Sequence, residues 1–144
     1  MRFCNMKDWG WIEKLWTKYP DYVQPWNEKY INRLEKALNQ EEGWRCTTMT
    51  GEDFYIFRLD EDNHILHLKT LVIDENQRGK QLTLTYWNEL QKMYRWAMVD
   101  VVEVDNERII KQKERGGWGI LSTWIHPRTG QAMRTCFKEF FEEG

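Results

Sequence analysis

Between residues 9 and 19, Trp9, Ile12, Leu15, Trp16 and Tyr19 recur at the spacing that lines one face of a helix. Pro20 and Asp21 end this segment, because the residue before a proline avoids the helical region. A second helix is predicted from Pro25, whose missing N–H costs nothing in a first turn, to about Asn39. Trp26, Tyr30, Leu34, Ala37 and Leu38 form its apolar stripe, with Glu28, Lys29, Arg33 and Lys36 around it, and Gly43 is a break. Three strand-like runs follow. The first is Trp44 to Thr50. The second is Phe54 to Leu59, with Phe54, Ile56 and Phe57 facing a core. The third and most apolar is Ile65 to Ile73. Thr50-Gly51-Glu52-Asp53 reads as a turn and Asp60-Glu61-Asp62-Asn63 as a polar hairpin loop.

After a polar stretch from Asp74 to Gln81, Leu82, Tyr86, Leu90, Met93 and Ala97 mark a long helix. Val99 to Val104 is predicted as a short buried strand. Asp105 or Asn106 caps a short helix carrying Ile109 and Ile110, and Gly116-Gly117 stops it. Ile120 to Ile125 and Met133 to Phe141 are two strands joined by His126-Pro127-Arg128-Thr129-Gly130, a hairpin signal. The order is α-α-β-β-β-α-β-α-β-β, an α+β fold on a mixed sheet. Its strand–helix–strand stretch from 65 to 104 is predicted to be a parallel right-handed crossover. No repeat or linker divides the chain. One domain over 1–144 is expected, with N-terminal helices in 1–43 and the sheet in 44–141.

Composition narrows the function classes. With 21 Lys+Arg against 23 Asp+Glu the net charge is -2, which argues against a nucleic-acid binder. The basic residues near 108 to 115 are interleaved with acids. No apolar run approaches the roughly 20 residues of a membrane span, and the N-terminus lacks an apolar signal segment, so a cytoplasmic location is expected. Cys4, Cys46 and Cys136 are scattered and form no Cys-x-x-Cys pair, which predicts neither a disulfide framework nor a structural metal site. The hydrophobic fraction of 41% is enough for a core, and nine Trp suit core or interface duty.

The most informative junction is the loop between Ile73 and Leu82. A buried strand runs through Arg78-Gly79-Lys80 into a helix N-terminus, where free N–H groups and the helix dipole attract an anion such as a phosphate. From these residues alone, a solvated loop with a turn glycine is the favoured reading. Among the other polar residues, His64 and His67 are three apart on a strand and face opposite ways, so they share no metal. His126 reads as a turn residue and Cys136 as core. The run from Lys111 to Arg115 reads as a solvated helix end. Trp11 is off the stripe of Trp9, Ile12 and Trp16 and is predicted to be exposed.

Order and residues together resemble the GCN5-related N-acetyltransferase family from 65 to 141. In that family the pyrophosphate loop follows the fourth strand and reads Arg/Gln-x-x-Gly-x-Gly/Ala. Arg78, Gly79 and Lys80 match its frequent Arg-Gly-Lys form, while Gln81 and Thr83 stand where glycine and a small residue are usual. Asn106-Glu107-Arg108-Ile109-Ile110, continuing to Gly116-Gly117-Trp118, is similar to the family's segment after the fifth strand. The chain also has some of the look of short acetyltransferase-like proteins of tailed phages, whose loops are similarly eroded.

The resemblance implies that acetyl-CoA lies where the strands Ile65–Ile73 and Val99–Val104 splay apart. Backbone amides of Arg78, Gly79, Lys80, Gln81, Leu82 and Thr83 would hold the pyrophosphate. Backbone groups from Leu71 to Ile73 would polarise the thioester carbonyl, and Asn106 would lie near the pantetheine arm. A substrate amine then attacks directly, without an acyl-enzyme. His67 stands roughly where several members carry a Glu general base, and Lys113 where many carry a Tyr general acid. The acceptor, a small-molecule or protein amine, is unassigned. The Trp-rich first helices border its cleft or offer a surface to a protein partner. A different class of function stays open: a binding or structural protein, of a virion or of host interaction if the chain is phage-encoded, that keeps the fold while CoA binding is weakened or lost.

Overall fold

A computed structural model of the chain describes residues 1–141. Its elements are β1 (Arg2–Phe3), α1 (Trp9–Lys18), α2 (Glu28–Leu38), β2 (Trp44–Thr48), β3 (Asp53–Asp60) and β4 (Ile65–Ile73). These are followed by α3 (Leu82–Tyr94), β5 (Ala97–Glu103), α4 (Glu107–Arg115), β6 (Gly119–Ile125) and β7 (Ala132–Lys138). The alternating apolar run of β4 forms a strand with the predicted bounds. Elsewhere caps and turns shift the expected boundaries. Helix α2 begins after Asn27, whose side chain accepts from the Tyr30 N–H at 3.3 Å, and not at Pro25. Trp26 therefore precedes the helix, yet its ring packs edge-on against Trp9 and Trp16. Helix α3 ends at Tyr94 because Arg95 turns left-handed, which makes Ala97 the first residue of β5. The two-residue β1 is too short to show a periodicity. His64 sits in the left-handed turn before β4, stacked on Trp96, and not on a strand.

The strands form one mixed sheet in the order β1-β2-β3-β4-β5-β7-β6. Pairing is antiparallel throughout except between β4 and β5, the parallel pair the sequence predicted. That parallel ladder is short. Ile65, Leu66 and His67 face Ala97, Met98 and Val99, and beyond His67 the two strands part.

Each face of the sheet carries its own core. Helices α1 and α2 cover one face with Ile12, Trp16, Leu34 and Leu38 against Phe54, Ile56 and Val72. Helix α3 covers the other with Tyr86, Trp87 and Leu90 against Tyr55, Phe57, Leu66, Leu68 and Met98. A bulge in β4 connects these two patterns. Ile56 pairs with Thr70 and Phe57 with Leu68, which leaves Lys69 as an extra residue. Even-numbered residues of β4 thus face α3 before Lys69 and face α1 and α2 after it. Strand β3 is buried on both faces from Asp53 to Phe57, more fully than three core positions implied. Strand β5 is less buried than predicted. Met98 and Val102 are covered, but Val101 is exposed, because α1 and α2 do not extend over that part of the sheet.

Two polar clusters fix the helices. The fully buried Asp53 carboxylate accepts hydrogen bonds from the Met49 and Thr50 N–H groups, the Thr50 hydroxyl and the Tyr86 hydroxyl. This pins α3 to the β2–β3 turn. Asp8 accepts from the Arg2 guanidinium, the Asn5 N–H and the Trp11 indole. Trp11 is therefore half-buried against Phe54 and is not the exposed tryptophan of its helix. Cys4, Cys46 and Cys136 are buried free thiols. Among the described residues no helix is long and apolar enough to cross a membrane, and no cluster could hold a metal ion.

Candidate functional site

Where β4 and β5 separate, the sheet opens into a cleft of about 820 Å³. Its floor is the end of β4, with Leu71, Val72 and Ile73. One wall is the segment after α1, with Tyr19, Tyr22 and Val23. The other is α4, and the start of α3 closes the end. The bulge at Lys69 turns Leu71 toward the α3 face. The side of β4 toward β5 has no partner strand beyond His67; past it the Lys69 carbonyl accepts from Gln24 and the Ile73 carbonyl from Arg78, and the backbone groups that no side chain takes up are available to a ligand.

The loop after β4 is built by two left-handed residues. Gly79 has φ 82° and Gln81 φ 56°. For a glycine this backbone is free, and for Gln81 it is strained. It turns the chain sharply into α3. That helix has no side-chain cap, so the N–H groups of Leu82, Thr83 and Leu84 find no acceptor among the described residues. They lie at the end of the cleft with the positive end of the helix dipole.

Of the sequence-predicted residues, Leu71, Ile73, Arg78, Gly79, Gln81, Leu82, Thr83 and Asn106 line the cleft together. Gln81 and Thr83 border the opening, which their side chains do not fill. Lys80 does not line the cleft and reaches back to the Gln77 side chain at 3.1 Å. Asn106 caps α4 by accepting from the Ile109 N–H at 3.2 Å. The Arg78 Nε donates to the Ile73 carbonyl at 3.1 Å, and its guanidinium lies 4.6 Å from the Tyr19 ring centre. Tyr19 in turn donates to Asp74, which also pairs with Lys18 at 2.8 Å. These two partners hold the Asp74 carboxyl below its usual range.

Neither predicted proton carrier is in the cleft. His67 precedes the bulge, on the face toward α1 and α2, 3.6 Å from Asp60. Burial, then Arg58 and Lys69, push its pKa down, so the ring is neutral at pH 7. Lys113 is not at a solvated helix end. It is 4% exposed, its ammonium lies 2.6 Å from Asp100, and it sits between the rings of Trp118 (3.6 Å) and Trp87 (4.6 Å). Burial raises the Asp100 carboxyl against the pull of Lys113. Lys113 therefore holds α4 to the sheet. His126 is a turn residue as predicted: its Nδ1 accepts from the Arg128 and Thr129 N–H groups.

The sequence reading missed the cationic wall. Arg108, Lys111 and Arg115 recur on α4 at the spacing that puts them on one side, and all three line the cleft with Arg78. None of the four is within 4 Å of a carboxylate, and no Asp or Glu lines the cleft among the described residues. The spacing was visible in the sequence, but the neighbouring Glu107 and Glu114 concealed it; neither of them lines the cleft.

No family model and no curated protein matches this sequence. Solved structures do. The chain resembles the ribosomal-protein-S18-alanine N-acetyltransferase from Escherichia coli with a TM-score of 0.74 at 14% identity, over 99% of this chain and 94% of that one. It resembles Ard1 from Thermoplasma volcanium with a TM-score of 0.74 at 15% identity, over 98% and 97%. It resembles a variant of a spermidine N-acetyltransferase from Vibrio cholerae with a TM-score of 0.72 at 14% identity, over 96% and 93%. The likeness extends over nearly the whole of each chain, and the chain has the fold of the GCN5-related N-acetyltransferases.

Proposed function

We propose that this protein transfers an acetyl group from acetyl-CoA to an amine by direct attack in a ternary complex. The observation that carries this reading is the cleft's charge: four cations without a carboxylate partner and a free helix N-terminus, without an acid among the described lining residues, in a chain of net charge -2. Such a site suits a polyphosphate. The α3 amides would take the pyrophosphate, while Arg108, Lys111 and Arg115 would take the remaining phosphate charge. The acyl end would lie along Leu71 to Ile73, where unpaired backbone polarises the carbonyl. The amine lone pair attacks the thioester carbon, the C–S bond breaks, and CoA leaves as a thiolate. With His67 and Lys113 both elsewhere, the amine proton leaves to water, and catalysis rests on positioning.

The displacement of His67 and Lys113 also supports a second reading, in which the chain binds CoA without turning it over. One experiment separates the two. Acetyl-CoA at a hundred times its Kd adds about 2.7 kcal/mol to stability, a melting shift of roughly 5–10 °C for a domain of this size. That shift should occur with acetyl-CoA and CoA and shrink strongly in Arg115→Glu and Arg78→Ala. Thiol release with an amine present then establishes the transfer. A shift without thiol release from any amine supports the second reading, and no shift at millimolar acetyl-CoA refutes both.

A further inference from the structure

The face of the sheet opposite α3 carries a second group of cations. Trp44, Arg58, His67 and Val99 are successive register partners across β2, β3, β4 and β5, so they form one row. Arg58 lies on the α1–α2 face, since Phe54 and Ile56 of the same strand belong to that core and Tyr55 and Phe57 to the other. Above the row, the Arg33 guanidinium of α2 lies 5.5 Å from the Trp44 ring centre and 5.2 Å from that of Tyr30. Lys29, one turn earlier, lies 5.4 Å from the same Tyr30 ring. Lys69 is the bulged residue just past His67, at the point where β4 and β5 part, and its carbonyl accepts from Gln24 of the α1–α2 segment.

Arg33, Arg58, His67 and Lys69 are all half-buried. Yet Lys29, Arg33, Arg58 and Lys69 have no carboxylate within 4 Å among the described residues; Asp60, beside the row, accepts from Asn63 and lies 3.6 Å from His67. Their mutual repulsion is legible: burial, then Arg33 and Arg58, push the Lys69 ammonium below its usual range, with Asp100 opposing. Half-burying several like charges without a counter-ion costs stability unless a ligand supplies the opposite charge. Lys69 places the group beside the strand separation that opens into the cleft.

We infer that Arg33, Arg58 and Lys69 recognise the acceptor, and that this acceptor is an amine carried on an anion. The inference rests on the acetyl-transfer reading for the word acceptor, but not for the anion site. Guanidinium pairs such as Arg33 and Arg58 read carboxylate and phosphate alike. The carrier can therefore be an acidic peptide with a free N-terminus, an acidic amino acid or a phosphorylated amine. A polyamine or a basic peptide is repelled.

The test needs no acetyl-CoA. The full chain is titrated against an acidic hexapeptide with a free N-terminus and a C-terminal dye, read by fluorescence anisotropy, with a basic hexapeptide beside it. The acidic peptide should bind saturably, weaken as salt rises, and lose at least tenfold in affinity in Arg33→Glu and in Lys69→Glu. The basic peptide should not bind. Both variants should keep the parent's melting shift with acetyl-CoA. Competition by glutamate or by glucosamine 6-phosphate would assign a small acceptor, and competition by neither an acidic peptide. Equal binding of both peptides, no binding of the acidic one, or indifference to both substitutions would overturn the inference. Loss of the acetyl-CoA shift in the parent would instead count against the acetyl-transfer reading alone.

Discussion

Replacing Lys113 by Met separates a structural lysine from a catalytic one. The side chain is 4% exposed and its partner's carboxylate 17% exposed, with 2.6 Å between them. The thioether keeps contact with the Trp87 and Trp118 rings but leaves Asp100 facing the core without a counter-charge. Breaking a buried pair from one side costs about 3–5 kcal/mol. For a domain of this length that is a melting point lower by roughly 10–20 °C. The pH dependence has a defined sign. Asp100 is already raised by burial, and losing Lys113 raises it further. A carboxyl with a folded pKa above its unfolded value, about 3.9, favours the protonated native state. The cost of the substitution should therefore be smallest below pH 4, and the gap to the parent should widen as pH rises through the new pKa. Adding Asp100→Asn should recover part of the loss and flatten the pH curve. The assay is thermal melting from pH 3.5 to 8, with turnover measured well below the variant's melting point. A variant that melts within about 2 °C of the parent would refute the structural role. So would a hundredfold fall in kcat without a stability change, which would restore Lys113 as the general acid.

Three further outcomes follow from particular contacts. Tyr86→Phe removes the hydroxyl that reaches buried Asp53 and should cost about 1–3 kcal/mol in denaturant unfolding. Gln81 holds φ 56°, so Gln81→Gly should stay within about 1 kcal/mol of the parent, while β-branched Gln81→Val should lose 1–2 kcal/mol; chemical melts of the pair check this. Arg2, followed by the Trp11 and Asn5 hydrogen bonds, holds Asp8 well below the usual carboxylate range. Its contribution is complete above the unfolded pKa and is lost as pH falls through the lower folded value. The stability gap between the parent and Asp8→Asn should therefore be constant above pH 5 and close steadily below pH 4.

The local signals that proved legible were those with a strong period or a decisive punctuation mark. Ile65 to Ile73 alternates and is bounded by turns, and Gly116-Gly117 ends α4 as expected. Pro25 was a poorer guide than Asn27, because a cap forms a specific hydrogen bond whereas Pro is merely tolerated nearby. The loop from Arg78 to Thr83 was legible because chain order placed it between a strand and a helix. The fates of His67 and Lys113 were not. A single extra residue at Lys69 decides which face of β4 each side chain meets, and no periodicity encodes that bulge. The partner of Lys113 lies on another element, 13 positions earlier.

The sequence by itself determined the order of the elements after β1, the parallel β4–β5 crossover and the position of the loop between β4 and α3, because helix and strand periods and turn residues act over a few positions. The tertiary structure alone decided which charges are paired, which face each half of β4 presents, and that Arg108, Lys111 and Arg115 meet Arg78 across one cleft. Those outcomes depend on the register between strands and on how a helix is rotated against the sheet. Both are set by burying two cores at once, and neither leaves a trace in neighbouring residues.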